Sequence, residues 1–234
     1  VAEKAEEILE KEEAGTVWSV CGFGNNGADG VAAARMLFLK GYDVKIVFPQ
    51  RDGKGSEELE AQLNVVKRLG IPVGVYYYSK AVNTAEADAE LALLRKVLTG
   101  KTVQLPVAVD IEDTYVQAPL DKQTLTDIAA HALDTVERWG FYAMLYTGLY
   151  FGRDNLYMTG AALKPYDVWL AAYRSKKPEP GWPFGLWQYT NKGKIPGVVD
   201  AIPGKVSGVD LSVPYKNYAK IIAKNGLTRL REGK

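Results

Sequence analysis

The stretch Pro106-Val-Ala-Val-Asp-Ile-Glu-Asp113 joins a short apolar run to two carboxylates two positions apart. A short apolar run rich in β-branched residues is typical of a buried strand. Because strand side chains alternate between two faces, Asp110 and Glu112 are predicted to point the same way and Ile111 the opposite way. Two acids that share a site push each other's pKa apart, so one stays protonated while the other is ionised, as glycosidases require. The alternative is a strand end that leaves its acids in water.

Strand-like and helix-like segments alternate along the chain on both sides of this stretch. The candidate strands are Val17–Cys21, Val44–Phe48, Pro72–Tyr77, Pro106–Ile111, Phe141–Tyr146, Asp167–Ala171, Gly185–Tyr189 and Val206–Asp210. The helical patterns are Gly30–Lys40, Ser56–Leu69, Thr84–Leu98, Leu120–Trp139, Asn155–Ala162 and Tyr215–Lys224. Their order and short connections predict an α/β fold, a (β/α)-type barrel of about eight mostly parallel strands with an irregular last third. No linker separates independent units, so residues 1–234 are expected to form one domain.

Acidic and aromatic residues collect at the predicted C-terminal ends of these strands, where parallel barrels carry their active sites. Asp210, at the end of the eighth candidate strand, is expected to join Asp110 and Glu112 there. The side chains predicted to line the same end are Tyr77, Tyr146, Trp169, Trp187, Gln188 and Tyr189. Aromatic rings stack on the apolar faces of pyranoses while polar groups bind the hydroxyls, so the pattern predicts a sugar-binding cleft. The alternative is that these aromatic residues fill the barrel core.

Composition excludes several classes of partner and site. Lys and Arg total 29 against 28 for Asp and Glu, so no strong overall charge favours nucleic acid or an anionic membrane. The single cysteine, Cys21, excludes an internal disulfide, and the single histidine, His131, excludes a histidine-based triad or a histidine-rich metal site. We therefore expect no metal and no cofactor.

The chain contains no apolar run long enough to span a bilayer, and its first residues, Val1-Ala-Glu-Lys-Ala-Glu-Glu-Ile-Leu-Glu10, are acidic and helix-like rather than typical of a signal peptide. We expect a soluble monomer, and the sequence leaves its compartment open.

Six segments from about residue 71 onwards resemble glycoside hydrolase family 25, the N-acetylmuramidase type of lysozyme. They are Ile71-Pro-Val-Gly-Val-Tyr-Tyr-Tyr-Ser79, Pro106-Val-Ala-Val-Asp-Ile-Glu112, Trp139-Gly-Phe-Tyr-Ala-Met-Leu-Tyr-Thr147, Val168-Trp-Leu-Ala171, Leu186-Trp-Gln-Tyr-Thr190 and Gly208-Val-Asp-Leu211. The resemblance implies that Glu112 is the general acid, Asp110 its partner carboxylate and Asp210 the acid near the last strand. It also implies cleavage of the β-1,4 bond after N-acetylmuramic acid in peptidoglycan, with the acetamido group of the sugar attacking the anomeric carbon.

Residues of about 15–70 resemble a different family, the Rossmann-like NAD(P)HX epimerases. The likeness rests on Cys21-Gly-Phe-Gly-Asn-Asn-Gly-Ala-Asp-Gly30, which follows the first candidate strand and opens a helix, although Ala28 stands where that family has glycine. Backbone N–H groups at a helix N-terminus attract anions, so the loop is a candidate phosphate site. Its candidate residues are Gly24, Asn25, Asn26, Gly27 and Asp29. The ordinary alternative is a strand-to-helix turn that keeps its glycines.

These two resemblances together predict a recombined or engineered chimera, in which fragment 1–70 replaces the first two strand-helix units of the lysozyme-like barrel. The family 25 lysozymes open with a strand that ends in an Asp-Val-Ser type segment and supplies another aspartate, and this chain lacks that segment. Activity is therefore expected to be weakened or lost. The alternatives are a catalytically inactive scaffold and a nucleotide- or phosphate-binding protein that uses the glycine-rich loop.

Overall fold

The computed structural model describes residues 16–20, 43–50, 71–193 and 209–231, with the backbone alone for the first two ranges and for Val209. The glycine-rich loop Cys21–Gly30 and the predicted helices Gly30–Lys40 and Ser56–Leu69 lie outside these residues.

The described residues contain eight strands and four helices. The strands are β1 (Thr16–Val20), β2 (Asp43–Gln50), β3 (Val73–Tyr78), β4 (Val107–Asp110), β5 (Ala143–Gly148), β6 (Asp167–Ala171), β7 (Leu186–Gly193) and β8 (Val209–Pro214). The helices are α1 (Thr84–Leu98), α2 (Lys122–Arg138), α3 (Leu149–Asn155) and α4 (Tyr218–Asn225).

The sheet is mostly parallel and strongly curled, so the predicted α/β class is confirmed. The six strands with described side chains, β3–β8, follow one another in sequence order, and the backbone of β1 and β2 pairs between β8 and β3, which closes the ring. Strand β8 is antiparallel to both β7 and β1, so the order is not that of a regular barrel of parallel strands. The predicted irregular last third begins there.

Two predicted elements have different positions in the structure. A helix over Asn155–Ala162 was expected, but α3 ends at Asn155, Leu156 is extended with φ −130° and ψ 142°, and turns follow. Gly160 and Pro165 disfavour a helix in this stretch. The last strand was expected at Val206–Asp210; β8 runs over Val209–Pro214, four residues beyond the expected end, and residues 206–208 lie outside the described residues. Leu211 and Val213 of β8 are buried.

The outer face of the sheet packs against α1 and α2. Asn83 caps α1 and Asp121 caps α2, each by accepting a hydrogen bond from a backbone N–H of the first turn, which satisfies one of the donors left free at a helix start. The buried residues of the two helices recur every three or four positions and are Ala87, Leu91, Leu94 and Leu98 on α1 and Leu125, Thr126, Ile128, Ala129, Ala132, Leu133 and Val136 on α2. These helices cover the strands from outside and leave the C-terminal strand ends free.

A second core fills the inside of the ring, and α4 closes it at the N-terminal ends of the parallel strands. Tyr218 and Ile222 of α4 pack with Ala108, Met144 and Leu186 of the strands. Gly185 allows this close approach, because a Cβ there would lie 1.8 Å from Oη of Tyr218. A cleft can therefore open only at the opposite end of the ring. No helix within the described parts of the chain is long and apolar enough to cross a membrane.

Candidate active site

Alternation along the three neighbouring strands β4, β5 and β6 brings one set of side chains to the inner face of the ring. Asp110 on β4 pairs with Tyr146 on β5, and Tyr146 pairs with Trp169 on β6. The rings of Tyr146 and Trp169 meet edge to face at 5.1 Å, and Nε1 of Trp169 donates a hydrogen bond to Ser212 on β8. The site therefore has a rigid aromatic floor, with Asp110 at its edge.

Asp110 is the last residue of β4 and is only 4% exposed. Its Oδ1 is buried and has no hydrogen-bond partner within the described residues. Burial, and then the negative charge of Glu112, raise the pKa of Asp110 well above the usual range of an aspartate. A buried oxygen without a partner costs free energy, so a role at a binding site offers the best explanation for it.

Glu112 lies two residues beyond Asp110, just past the end of β4. The segment is held on its N-terminal side by two hydrogen bonds, from the Ile111 N–H to the Tyr146 carbonyl and from the Thr147 hydroxyl to the Ile111 carbonyl. Ile111 is buried in the core between the sheet and the helices, which we call the outer core. Asp110 and Glu112 therefore lie on the opposite side, toward the inside of the ring. Burial and the charge of Asp210 raise the pKa of Glu112 to about 7. A carboxyl with this pKa can both donate and accept a proton near neutral pH.

Asp210 is the third carboxylate of the site and extends from β8. Burial raises the pKa of Asp210 to about 6, and a hydrogen bond with the Gln188 side chain partly opposes this rise. The structure thus brings Asp110, Glu112 and Asp210 together from the ends of β4 and β8, close enough for their charges to interact.

Gln188 links the acidic and aromatic parts of the site. Its Oε1 accepts a hydrogen bond from Tyr146 Oη at 2.6 Å and a longer one from Tyr173 Oη at 3.4 Å. Two hydroxyl donors on Oε1 leave the amide nitrogen free to donate to Asp210, which agrees with the lowering effect of Gln188 on the pKa of Asp210. Gln188 therefore determines the orientation of both tyrosines and of one carboxylate.

Three of the aromatic residues predicted to line the cleft lie elsewhere. Tyr77 and Trp187 are buried in the outer core beneath the helices, and Tyr189 packs edge to face on Trp187 with ring centroids 5.8 Å apart. The Trp187 indole donates to the Ala172 carbonyl. The physical reason is strand alternation, because Tyr77 and Trp187 immediately neighbour residues that face inward.

Tyr78 and Tyr173 also belong to the site, although neither is among the residues that the sequence pattern predicts there. Tyr78 pairs with Asp110 in the β3–β4 register, and the charges of Asp113, Asp110 and Glu112 contribute to raising its pKa, after burial and the hydrogen bond to Asp113. Tyr173 follows β6 and is 54% exposed. For Tyr78 the missed signal was its even spacing from Tyr76, which also faces inward and contacts Trp169 edge to face.

Two further exposed tyrosines, Tyr115 and Tyr150, lie on segments that follow β4 and β5. Tyr115 lies three residues after Glu112 in the loop after β4 and is 89% exposed, and Tyr150 is the second residue of α3. A Cβ at Gly148 would lie 3.7 Å from Oε2 of Glu112, so the start of α3 adjoins the general-acid candidate. Exposed aromatic rings beside buried acids are typical of a carbohydrate site.

The candidate phosphate loop, with Gly24, Asn25, Asn26, Gly27 and Asp29, lies outside the described residues and remains a prediction. Within the described ranges, no group of three or more acidic, histidine or cysteine side chains has an arrangement that could hold a metal ion.

Two kinds of known protein are similar in sequence to this chain. An NAD(P)H-hydrate epimerase of Oenococcus oeni is 45% identical over 125 residues, which is 50% of this chain and 60% of the epimerase. The autolytic lysozyme of Clostridium acetobutylicum is 28% identical over 132 residues, or 56% of this chain and 38% of the lysozyme. The chain thus spans less than two thirds of the length of either relative.

Among solved structures, the modular autolysin LytC from Streptococcus pneumoniae superposes with a TM-score of 0.65 at 22% identity, covering 84% of this chain and 46% of LytC. This likeness concerns the fold. The model of the family described as glycosyl hydrolases family 25 matches residues 50–198, more than half of the chain. By that match, and by a curled α/β sheet with acids at its C-terminal end, the chain belongs to glycosyl hydrolases family 25.

Proposed function

We propose that this chain is a peptidoglycan hydrolase of the N-acetylmuramidase type, with Glu112 as the general acid. The observation that carries the proposal is the half-buried Glu112 carboxyl, with a pKa raised to about 7, beside two further acids. An acid with a pKa near the working pH gives the best compromise between being protonated and donating the proton readily. Membership of the glycosyl hydrolase family supports the same chemistry.

In the proposed reaction, Glu112 gives its proton to the leaving glycosidic oxygen as the bond to the anomeric carbon breaks. The acetamido oxygen of the same sugar forms the new bond to that carbon, so no covalent bond to the protein is needed. Glu112 then accepts a proton from the water that opens the intermediate. Each group returns to its starting state after one turnover.

Asp110 and Asp210 orient the substrate and stabilise charge in this proposal. The unpartnered Oδ1 of Asp110 can accept the N–H of the acetamido group, which aligns its oxygen for attack. Asp210, held by Gln188, faces the positive charge that develops on the sugar ring.

Tyr146, Trp169 and Gln188 form the wall against which the sugar is proposed to bind. Their mutual contacts fix the rings before substrate arrives, which lowers the entropy cost of binding. LytC, which shares the fold, has been solved in complex with a synthetic peptidoglycan ligand, and this supports a glycan as the substrate class.

The chain is further proposed to be a chimera, with an epimerase-like fragment supplying β1 and β2 of a lysozyme-like barrel. The similarity to an NAD(P)H-hydrate epimerase and the family 25 match support this reading. The segment from Thr16 to Ala28 contains no carboxylate, so β1 brings no acid to the site. Activity is expected to be weakened for this reason, and the same observation favours a second candidate, a sugar-binding scaffold without catalysis.

A turbidity assay on purified cell walls tests the proposal. Glu112→Gln keeps the shape of the side chain but cannot donate the proton, so lysis is expected to fall about 100- to 10,000-fold. Glu137→Gln, at an exposed position on α2, is the matched control and is expected to lyse at the wild-type rate.

Absence of lysis by the wild-type protein at high concentration, together with binding of cell-wall glycan, would support the scaffold. Lysis that survives Glu112→Gln would refute the assignment of the general acid.

A further inference from the structure

Asp113, the residue after Glu112, is almost completely buried although it begins an exposed loop. Its Oδ1 accepts hydrogen bonds from the backbone N–H groups of Tyr115 at 2.8 Å and Val116 at 3.0 Å. Its Oδ2 accepts the hydroxyl of Tyr78 at 3.1 Å and lies 3.8 Å from the Lys80 ammonium. One carboxylate thus joins the loop after β4 to the end of β3.

The backbone of Asp113 is held as firmly as its side chain. Its N–H donates to Oε1 of Gln117, and its carbonyl accepts from the N–H groups of Gln117 and Ala118. Gln117 is fully buried, and its amide donates to the Ala81 carbonyl after β3. The loop after β4 is therefore fixed to the β3 side of the ring by two side chains.

This arrangement matters because Glu112 lies beyond the end of its strand. On its N-terminal side, the hydrogen bonds of Ile111 to β5 fix the backbone. On its C-terminal side, the hydrogen bonds of Asp113 fix the backbone. Burial raises the pKa of Asp113, but hydrogen bonds from Val116, Tyr115 and Tyr78 outweigh burial and lower it, so the carboxylate stays ionised as an acceptor.

We propose that Asp113 is a positioning residue, which holds the Glu112 carboxyl at the scissile bond and fixes the Tyr78 ring as a wall of the same cleft. The catalytic part of this inference rests on the proposed function. Asp113 itself faces the protein and does not contact the reacting atoms. Its effect passes through the backbone to Glu112 and through a hydroxyl to Tyr78.

Three variants separate the parts of this role. Asp113→Ala removes every side-chain hydrogen bond, and a displacement of Glu112 by about 1 Å is expected to lower kcat about 100-fold, with a smaller change in KM. Asp113→Asn keeps an oxygen for the Tyr115 and Val116 N–H groups, so it is expected to restore most of that loss and remain within about tenfold of the wild type. Tyr78→Phe removes only the link to β3 and is expected to raise KM more than it lowers kcat.

Asp127→Asn, at an exposed position on α2, is the matched control. Rates are normalised to the folded fraction from near-ultraviolet circular dichroism, since a purely structural role would lower the amount of folded protein and leave kcat unchanged. If Asp113→Ala does not fold, the double variant Asp113→Asn with Tyr78→Phe is measured instead, in which the link to β3 is lost; its KM is expected to rise, and a KM and a kcat that both stay at the wild-type values would overturn the proposal.

A readout without catalysis makes the test independent of the proposed function. The pH titration of the Glu112 carboxyl, followed by carbon NMR, is expected to show a raised midpoint in the wild type. In Asp113→Ala the midpoint is expected to return toward the ordinary glutamate range, as Glu112 moves into solvent. An unchanged midpoint in folded Asp113→Ala would overturn the positioning role. A wild type that lyses no cell walls but shows the shift would refute only the proposed function.

Discussion

Two acids at opposite ends of the same ring have opposite surroundings. Asp167 begins β6 at the end closed by α4, where it accepts hydrogen bonds from the hydroxyls of Tyr142 and Tyr218 and pairs with the Lys216 ammonium at 2.6 Å. Asp110 ends β4 at the open end, where its Oδ1 is buried without a described partner. A fully paired acid stabilises the fold, whereas a buried unpaired one costs stability and is best explained by a ligand.

Two tyrosines, one directly before β5 and one within it, repeat the contrast. Tyr142 and Tyr146 are four residues apart around β5 and face the same side. The Tyr142 hydroxyl reaches Asp167, and the Tyr146 hydroxyl reaches Gln188, which contacts Asp210. The same residue type therefore supports packing at one end and the candidate chemistry at the other.

The largest expected difference is in activity at the open end. In the proposed reaction, Asp110→Asn leaves the acetamido group without a carboxylate to orient it, so lysis is expected to fall about 1,000-fold, or about 4 kcal/mol. Because the substitution removes an unpaired buried acid, the free energy of unfolding at pH 7 is expected to stay the same or to rise by about 1 kcal/mol. Cell-wall turbidity and urea unfolding measure the two effects. If Asp110→Asn lost stability and kept activity, Asp110 would have the structural role that is assigned here to Asp167.

The matched substitution at the closed end is Asp167→Ala. It leaves two tyrosine hydroxyls and an ammonium without their shared acceptor, so the free energy of unfolding is expected to fall by about 2–3 kcal/mol. The rate of lysis per folded molecule is expected to stay at the wild-type value, because the carboxylates of the cleft are untouched. Urea unfolding with activity normalised to folded protein checks this, and a lower normalised rate would show that the two ends are coupled.

The pH dependence of stability is expected to come from the open end. The pKa values of Glu112 and Asp210 are raised to about 7 and about 6 by burial, so the folded state binds more protons than the unfolded state above about pH 4. Their stabilising contribution is complete below pH 4 and is lost as the pH rises to 7, with a loss on the order of 5 kcal/mol. Urea unfolding at four pH values measures the slope. Glu112→Gln is expected to reduce it, and an unchanged slope would assign it to other groups.

The smallest expected effects separate the two tyrosines. Tyr142→Phe removes one hydrogen bond to Asp167 and is expected to lower the free energy of unfolding by about 1 kcal/mol without changing lysis. Tyr146→Phe removes a hydrogen bond to Gln188 and is expected to lower lysis about tenfold, with a similar cost in stability. If both variants lost lysis equally, the Tyr142 and Tyr146 hydroxyls would not differ in their roles, and the contrast between the two ends of the ring would not hold for them.

Much of the fold could be predicted from local patterns. The helix Thr84–Leu98 has the expected bounds, and α2 and α4 differ from expectation by one to three residues at each end. The capping residue of α1 and the spacing of its apolar residues are local features of the sequence, so they predict the helix without knowledge of the rest of the chain. The α3 helix was missed because Leu149–Asn155 is short and begins directly after a strand. Such a helix depends on packing more than on its own period.

Part of the candidate site could also be predicted, from the spacing of residues along one strand. The spacing of Asp110 and Glu112 predicts a shared side, and the structure has their charges interacting. The selection of Tyr77, and of Trp187 beside Gln188, conflicts with strand alternation, because adjacent strand residues face opposite sides. The register pairs Tyr78 with Asp110, which assigns the inward face to Tyr76 and Tyr78. Asp113 was not selected, since its partners on β3 are 35 residues away in the chain.

The sequence by itself determined the α/β class, the Asp110 and Glu112 pair and the resemblance to two families, because periodicity, spacing and motif order are local properties of a chain. The tertiary structure decided which aromatic residues face the acids, how β8 pairs antiparallel on both sides, and which acid has partners. Those outcomes depend on strand register and on contacts between distant segments. Burial then determines the pKa values, since desolvation exists only once the chain has folded.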